Sequence, residues 1–196
     1  MSEAERLEGL WAGKFGDEYT ERNCPSSVRS DFWREVVKRW TPRRALEVGC
    51  GDGTNLYGLR SGGMSHNDVY GVDVNRIALA RNESWNVMYG TARDLPFKDR
   101  WFDLAFTCGV LIHQPAESLL YVMSEIVRVS CRYVLAMEYH APQREAVPYR
   151  GQEGALFRDD YGNIYQREFG LKLLDMGHLG KDEGFDNVVW WMLEKS

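Results

Sequence analysis

Ala45-Leu46-Glu47-Val48-Gly49-Cys50-Gly51-Asp52-Gly53-Thr54-Asn55 decides the fold. Around Glu47 the opening residues are apolar, as in a strand buried within a parallel sheet. Glycine then takes every second position, at Gly49, Gly51 and Gly53. Thr54 and Asn55 lead to Leu56-Tyr57, where a helix can begin. Strand, glycine turn and helix let backbone approach a nucleotide closely. The spacing is G-x-G-x-G, which differs from the G-x-G-x-x-G of a dinucleotide site. Val69-Tyr70-Gly71-Val72-Asp73 is a second apolar segment, closed by an acid. A carboxylate at that strand's end is placed to accept hydrogen bonds from both hydroxyls of a ribose. A glycine turn with no ligand and a nicotinamide nucleotide site are the competing readings.

Two further segments follow in order, Gly90-Thr91-Ala92-Arg93-Asp94-Leu95-Pro96-Phe97 and Phe102-Asp103-Leu104-Ala105-Phe106. With them, Glu47 to Gly53 and Asp73 resemble the cofactor site of class I S-adenosylmethionine-dependent methyltransferases. The likeness covers at least residues 43–140. It implies that Gly49, Cys50, Gly51 and Gly53 contact the methionine part of S-adenosylmethionine, and that Glu47 orients the loop and meets the amino group. Asp73 would bind the ribose hydroxyls and Val74 would pack on the adenine. Thr91 and Ala92 would meet the adenine edge; many relatives carry an aspartate where Thr91 stands, so this acceptor is uncharged. Cys108 and Gly109 would border the methionine end. S-adenosylhomocysteine would be the product.

A closer resemblance lies at the ends of the chain. Trp11-Ala12-Gly13-Lys14-Phe15-Gly16-Asp17-Glu18-Tyr19-Thr20-Glu21-Arg22-Asn23 and Val147-Pro148-Tyr149-Arg150-Gly151 look like the small methylases associated with pseudaminic acid biosynthesis. That association implies no particular substrate. A sugar, an amino acid or a natural-product intermediate would each fit.

At 196 residues, one domain over 1–196 is expected. The hydrophobic fraction of 44% is ordinary for a globular chain. Net charge is −5 with acids and bases interspersed, which disfavours a nucleic-acid partner. The N-terminus is polar, unlike a signal peptide, and no apolar run approaches membrane-spanning length. A cytoplasmic protein, monomer or homodimer, is expected. Cys24, Cys50, Cys108 and Cys131 form no C-x-x-C pair, and no His/Cys cluster has zinc spacing, so no metal site is expected.

In chain order, residues 1–27 are aromatic and glycine-rich, with no helical or strand period in view. Trp11, Phe15 and Tyr19 there are candidate residues of a cofactor lid, or of a segment packed on the core. Pro25-Ser26-Ser27 offers a helix start. Val28, Phe32, Trp33, Val36, Val37 and Trp40 form a helical stripe that Thr41-Pro42 ends. Strands are expected at about 44–49, 69–73, 86–89, 102–108 and 132–138. Helices are expected at 54–60, at 75–84 capped by Asn75, and after Pro115. The last of these has a stripe of Leu119, Leu120, Met123, Ile126 and Val127. Residues 140–170 read as a long loop on the substrate side. Leu171 to Gly177 and Asn187 to Glu194 read as a closing hairpin. The whole is a Rossmann-like α/β three-layer sandwich, with a seven-stranded, mainly parallel sheet and a C-terminal antiparallel strand.

Methyl transfer is an in-line displacement that needs positioning and exclusion of water more than a catalytic triad. Thr107-Cys108-Gly109-Val110 lacks the Asn/Asp-Pro-Pro-aromatic segment of base-amine and glutamine methylases. Carbon-5 pyrimidine methylases need Pro-Cys, which occurs here only reversed, as Cys24-Pro25. The remaining acceptor is a small polar molecule with a hydroxyl, amine or carboxylate nucleophile. His113, just past strand 4, is a candidate base or a cofactor-lining residue, and Tyr19 is a second catalytic candidate. Cys108 as a thiolate nucleophile is a minor alternative. His140, Tyr149, Arg150 and Arg158 are candidate substrate contacts, or ordinary loop ion pairs, since an arginine fork matches a carboxylate or phosphate. A cofactor-binding subunit without catalysis and a nicotinamide-dependent oxidoreductase are the alternative functions.

Overall fold

The computed structural model describes residues 1–22, 29–82 and 86–196. The helix start at Pro25-Ser26-Ser27, the stripe residue Val28 and Cys24 lie outside these residues. β1 (Ala45–Val48), β2 (Val69–Asp73), β3 (Val87–Tyr89), β4 (Phe102–Cys108) and β5 (Ser130–Glu138) are parallel neighbours. β8 (Lys172–Leu179) and β9 (Val188–Glu194) complete the sheet, in the order β3-β2-β1-β4-β5-β9-β8. β9 runs antiparallel to both its neighbours. This is the expected Rossmann-like sandwich.

The two faces of the sheet are covered by different helices. On β5, Tyr133, Leu135 and Met137 join the core with Trp33 and Trp40 of α3 (Ser30–Trp40) and Leu56 and Leu59 of α4 (Thr54–Ser61). Val134 and Ala136 point the other way, with Met123 and Ile126 of α6 (Ala116–Val129) and Tyr161 and Tyr165 of α7 (Tyr161–Phe169). A period of two along each strand thus feeds two cores. Strand order reverses between β1 and β4, where a crevice opens beyond the carboxyl ends.

Three expectations are corrected. Residues 1–22 are helical: α1 (Glu3–Ala12) and α2 (Lys14–Arg22) flank Gly13. Ser2 Oγ accepts from Glu5 N–H and the Glu5 carboxylate accepts from Ser2 N–H, a capping box that starts α1. Residues 140–170 are mostly regular as well, with a hairpin of β6 (Glu145–Tyr149) and β7 (Gln152–Arg158), then α7. On α6, Leu120 is exposed, and Val122 and Val129 take buried places. α5 (Arg76–Arg81) follows the Asn75 cap, whose Oδ1 accepts from Ala78 N–H at 2.7 Å.

Gly162 in α7 meets β9 at close range. A Cβ there would lie 2.2 Å from Cδ1 of the buried Trp191 indole. Helix propensity favours alanine over glycine by up to about 1 kcal/mol, but overpacking costs about 1–3 kcal/mol. Gly162→Ala is therefore expected to lower the denaturation midpoint without changing the transition's slope. A midpoint equal to or above the parent's would contradict this packing.

Candidate functional site

A cavity of about 570 Å³ opens at the carboxyl ends of β1, β2 and β4. Its floor is the glycine turn. Gly49 N–H and Cys50 N–H both donate to Val72 O, at 2.8 and 3.1 Å, tying the turn to β2. Gly49 has φ 76°, and a Cβ on it would sit 2.3 Å from Val110 Cγ2. Gly51 has φ 52°, but a Cβ there would meet only open space. Gly49 is thus demanded by packing as well as by backbone geometry, whereas Gly51 leaves a bare backbone facing the cavity.

Asp73 braces this turn. Its Oδ2 accepts from Gly51 N–H at 2.8 Å and its Oδ1 from Asn75 N–H at 2.7 Å. Burial raises its pKa, and these backbone donors work against that rise. Each carboxylate oxygen has a second lone pair, so Asp73 can still accept from a ligand.

Glu47 lies beneath the turn and is fully buried. Its Oε1 accepts from Asn55 Nδ2 at 2.6 Å, while Oε2 is buried with no partner among the described residues. Burial pushes its pKa up to about 8, although the Asn55 bond and the nearby Arg29 charge pull the other way. Asn55 Oδ1 accepts from Trp33 Nε1 and from Arg29 Nη1, both at 3.2 Å. An orphaned carboxylate oxygen beside an arginine suits the ammonium and carboxylate of an α-amino acid.

His113 closes the other side. It ends a short 3-10 turn, Leu111–His113, which Glu138 holds by accepting from Val110 N–H at 3.2 Å and Ile112 N–H at 3.3 Å. His113 Nδ1 donates to Ala155 O of β7 at 2.6 Å. That bond fixes the tautomer with Nε2 as an acceptor. Burial lowers the ring's pKa to about 4. The ring packs on Trp11 at 4.5 Å and on Tyr149 at 5.3 Å between centroids.

α1 and α2 roof the cavity. Trp11 and Tyr19 line it, with their rings 5.2 Å apart. Burial raises the Tyr19 hydroxyl's pKa, which disfavours its phenolate. Asn75 Nδ2 donates to Trp11 O at 3.0 Å and to Asp17 Oδ1 at 2.8 Å. Arg93 donates to Glu8 through Nε at 3.2 Å and Nη2 at 3.0 Å.

Most of the residues singled out in the sequence meet at this cavity: Trp11, Tyr19, Glu47, Gly49, Cys50, Gly51, Asp73, Val74, Ala92, Cys108, Gly109, His113, Tyr149 and Arg150. Thr91 does not line it, because its hydroxyl pairs with Glu8. His140 and Arg158 sit at a separate shallow depression. His140 packs on Trp191 at 5.8 Å, and Arg158 pairs with Glu145 across the hairpin at 3.5 Å. These three are corrected as cavity residues. Burial pushes the Cys108 thiol up to about 12, which disfavours a thiolate. No group of His, Cys, Asp or Glu among the described residues is arranged to hold a metal. No helix there is long and apolar enough to cross a membrane.

Sequence reasoning missed Arg29, Asn55, Asp186 and Asn187, which also line the cavity. Asn55, two residues past the last glycine, was the one with a signal, since a helix-opening polar residue can face the turn. The others reach the cavity through tertiary folding alone.

Residues 45–131 match the family described as methyltransferase domain. The match spans less than half of the chain. It holds the glycine turn, Asp73 and His113, and so most of the cavity. The chain is 28% identical over 120 residues to the tRNA U34 carboxymethyltransferase of Shewanella woodyi, covering 53% of this chain and 36% of that protein. It thus spans about a third of the length of this curated relative. Among solved structures, magnesium protoporphyrin IX methyltransferase from Synechocystis PCC 6803, with bound SAM, superposes with a TM-score of 0.69 at 15% identity. That match covers 100% of this chain and 98% of the other. The 1,6-didemethyltoxoflavin-N1-methyltransferase of Burkholderia thailandensis gives a TM-score of 0.68 at 14% identity, covering 99% and 87%. At these identities the superpositions establish the fold.

Proposed function

We propose that the protein is an S-adenosylmethionine-dependent methyltransferase acting on a small polar acceptor. The observation that carries this is the pairing of an orphaned, buried Glu47 oxygen with a bare glycine turn and the Asp73 carboxylate around one cavity. Glu47 and Arg29 would hold the ammonium and carboxylate of the cofactor's methionine end. Asp73 would hold its ribose, and Val74 and Ala92 would flank the adenine. The bound cofactor supplies an electrophilic sulfonium methyl.

The chain's own part is to position and exclude. α1 and α2 act as a lid, and the β6–β7 hairpin as the acceptor side. His113 stays neutral at physiological pH, so its Nε2 accepts a hydrogen bond from an acceptor hydroxyl or amine and aims the lone pair. In this reading it orients the acceptor, and the proton displaced from the hydroxyl or amine on methylation passes to solvent. A small acceptor is favoured over tRNA by the net charge of −5 and by the aromatic roof.

S-adenosylhomocysteine at a hundredfold its dissociation constant is expected to stabilise the protein by about 2.7 kcal/mol. For this size that is a rise of roughly 5–10 °C in Tm, with NADH as the inactive control. His113→Ala is expected to keep that rise while lowering radiolabelled methyl transfer by about tenfold or more. Label entering bulk tRNA in place of small acceptors would favour the relatives' substrate class. No rise with S-adenosylhomocysteine would remove the cofactor reading.

A further inference from the structure

We propose that the acceptor carries a carboxylate or phosphate, and that Arg150 reads it. The inference rests on the reading that the cavity holds an acceptor beside the cofactor. Arg29, Arg93 and Arg150 all line the cavity. Arg93 is neutralised by Glu8 at 3.0 Å. Arg29 lies at the Glu47 end, with Nε donating to Gly184 O at 2.8 Å and Nη1 to Asn55 Oδ1 at 3.2 Å. Arg150 makes no hydrogen bond or ion pair with another described residue, and its guanidinium lies 5.9 Å from the Tyr149 ring centroid. Asp186 also lines the cavity but forms no ion pair with it.

The backbone supplies a second observation. Tyr149 pairs with Gln152, so Arg150 and Gly151 are the two central residues of the hairpin turn. Their φ values are 47° and 77°, the signature of a type I′ turn. Asparagine or glycine suits the first of these positions, and a long side chain there is held against its backbone preference. An exposed arginine in a left-handed backbone conformation at the tip of a hairpin, on the wall of a cavity, with a distant cation–π contact to Tyr149 and no ion pair with a described residue, is placed for a ligand. Its planar fork matches a carboxylate or phosphate in two parallel hydrogen bonds. Tyr149 links this tip to His113, with 5.3 Å between ring centroids. The geometry therefore suits an acceptor whose anionic group meets Arg150 while its nucleophile lies by His113.

The test uses protein loaded with S-adenosylhomocysteine. It is titrated with benzoate, phenyl phosphate and benzamide, and binding is read by tryptophan fluorescence. Benzoate or phenyl phosphate is expected to bind at least tenfold more tightly than benzamide, and the better of the two identifies the group. Arg150→Asn creates an Asn-Gly turn, so it is expected to raise Tm by about 2–4 °C while weakening the anion by tenfold or more. Arg150→Lys should lose less. A purely structural role would move stability and binding together. Equal binding of benzamide, binding of none of the probes, or an unchanged anion affinity in Arg150→Asn would overturn the subsite and leave the cofactor reading standing. Failure of S-adenosylhomocysteine to bind the parent protein would overturn both.

Discussion

Replacing Asp73 with alanine is expected to cost more than a hundredfold in affinity for S-adenosylhomocysteine. Two losses combine. The ribose hydroxyls lose a charged acceptor, and hydrogen bonds to charged groups contribute about 1.5–3 kcal/mol each. The glycine turn also loses its brace, because the same carboxylate holds Gly51 N–H and Asn75 N–H. Together these exceed about 3 kcal/mol, and every 1.4 kcal/mol is tenfold. Titration calorimetry reads the effect directly. Asp73→Asn separates the contributions, since an amide keeps the shape but can accept on only one atom. Affinity within threefold of the parent in Asp73→Ala would show that the ribose lies elsewhere.

The second large effect concerns protons. Without a ligand, burial holds the Glu47 carboxyl at a pKa of about 8, against an ordinary 4.5, so it is protonated at pH 7. An ammonium placed against Oε2 favours the carboxylate and drives the proton off. Binding should therefore release close to one proton at pH 7. Affinity should rise with pH by up to tenfold per unit between pH 6 and 8, then level off. Calorimetry in buffers of differing ionisation enthalpy counts the proton, and Glu47→Gln should release none. The free protein moves in the opposite direction. A carboxyl whose folded pKa is raised adds stability below the unfolded value of 4.5, and that stability is lost as pH climbs through about 8. Glu47→Gln should accordingly be more stable than the parent at pH 8.5, with the difference gone near pH 4. A pH-independent affinity in the parent would place the ammonium away from Glu47.

Much of this was legible in the chain. Glu47 to Gly53 and Asp73 mark the strand ends because a buried parallel strand and a glycine turn each leave a local signature. α6 was legible in outline only. Its stripe placed Leu120 inwards, whereas the helix turns so that Val122 and Val129 are buried. α1 was missed although Ala4, Leu7 and Trp11 recur at helical spacing and Ser2 and Glu5 form a capping box. Gly9 within it and Gly13 at its end lowered its apparent propensity, and tertiary contacts such as Ala4 N–H to Glu117 overrode them. The 140–170 segment hid a hairpin because its strands, near the surface, carry Pro148 and alternate weakly. Arg29 reaches Asn55 across 26 positions, and no local pattern announces such a contact.

The Asn75 side chain gives the roof a kinetic meaning. Asn75 caps α5, lies two residues from Asp73, and grips α1 and α2 through Trp11 O and Asp17. Glu8 fastens the same roof to Thr91 and Arg93 on the far side. Under the proposed function, spent cofactor would leave this roof only by breaking clasps to Asn75, Thr91 and Arg93, beside the residues proposed to hold it. On the proposed reading, product exit is then expected to be the slow event of each turnover, and weakening the Asn75 or Glu8 clasps should raise kcat.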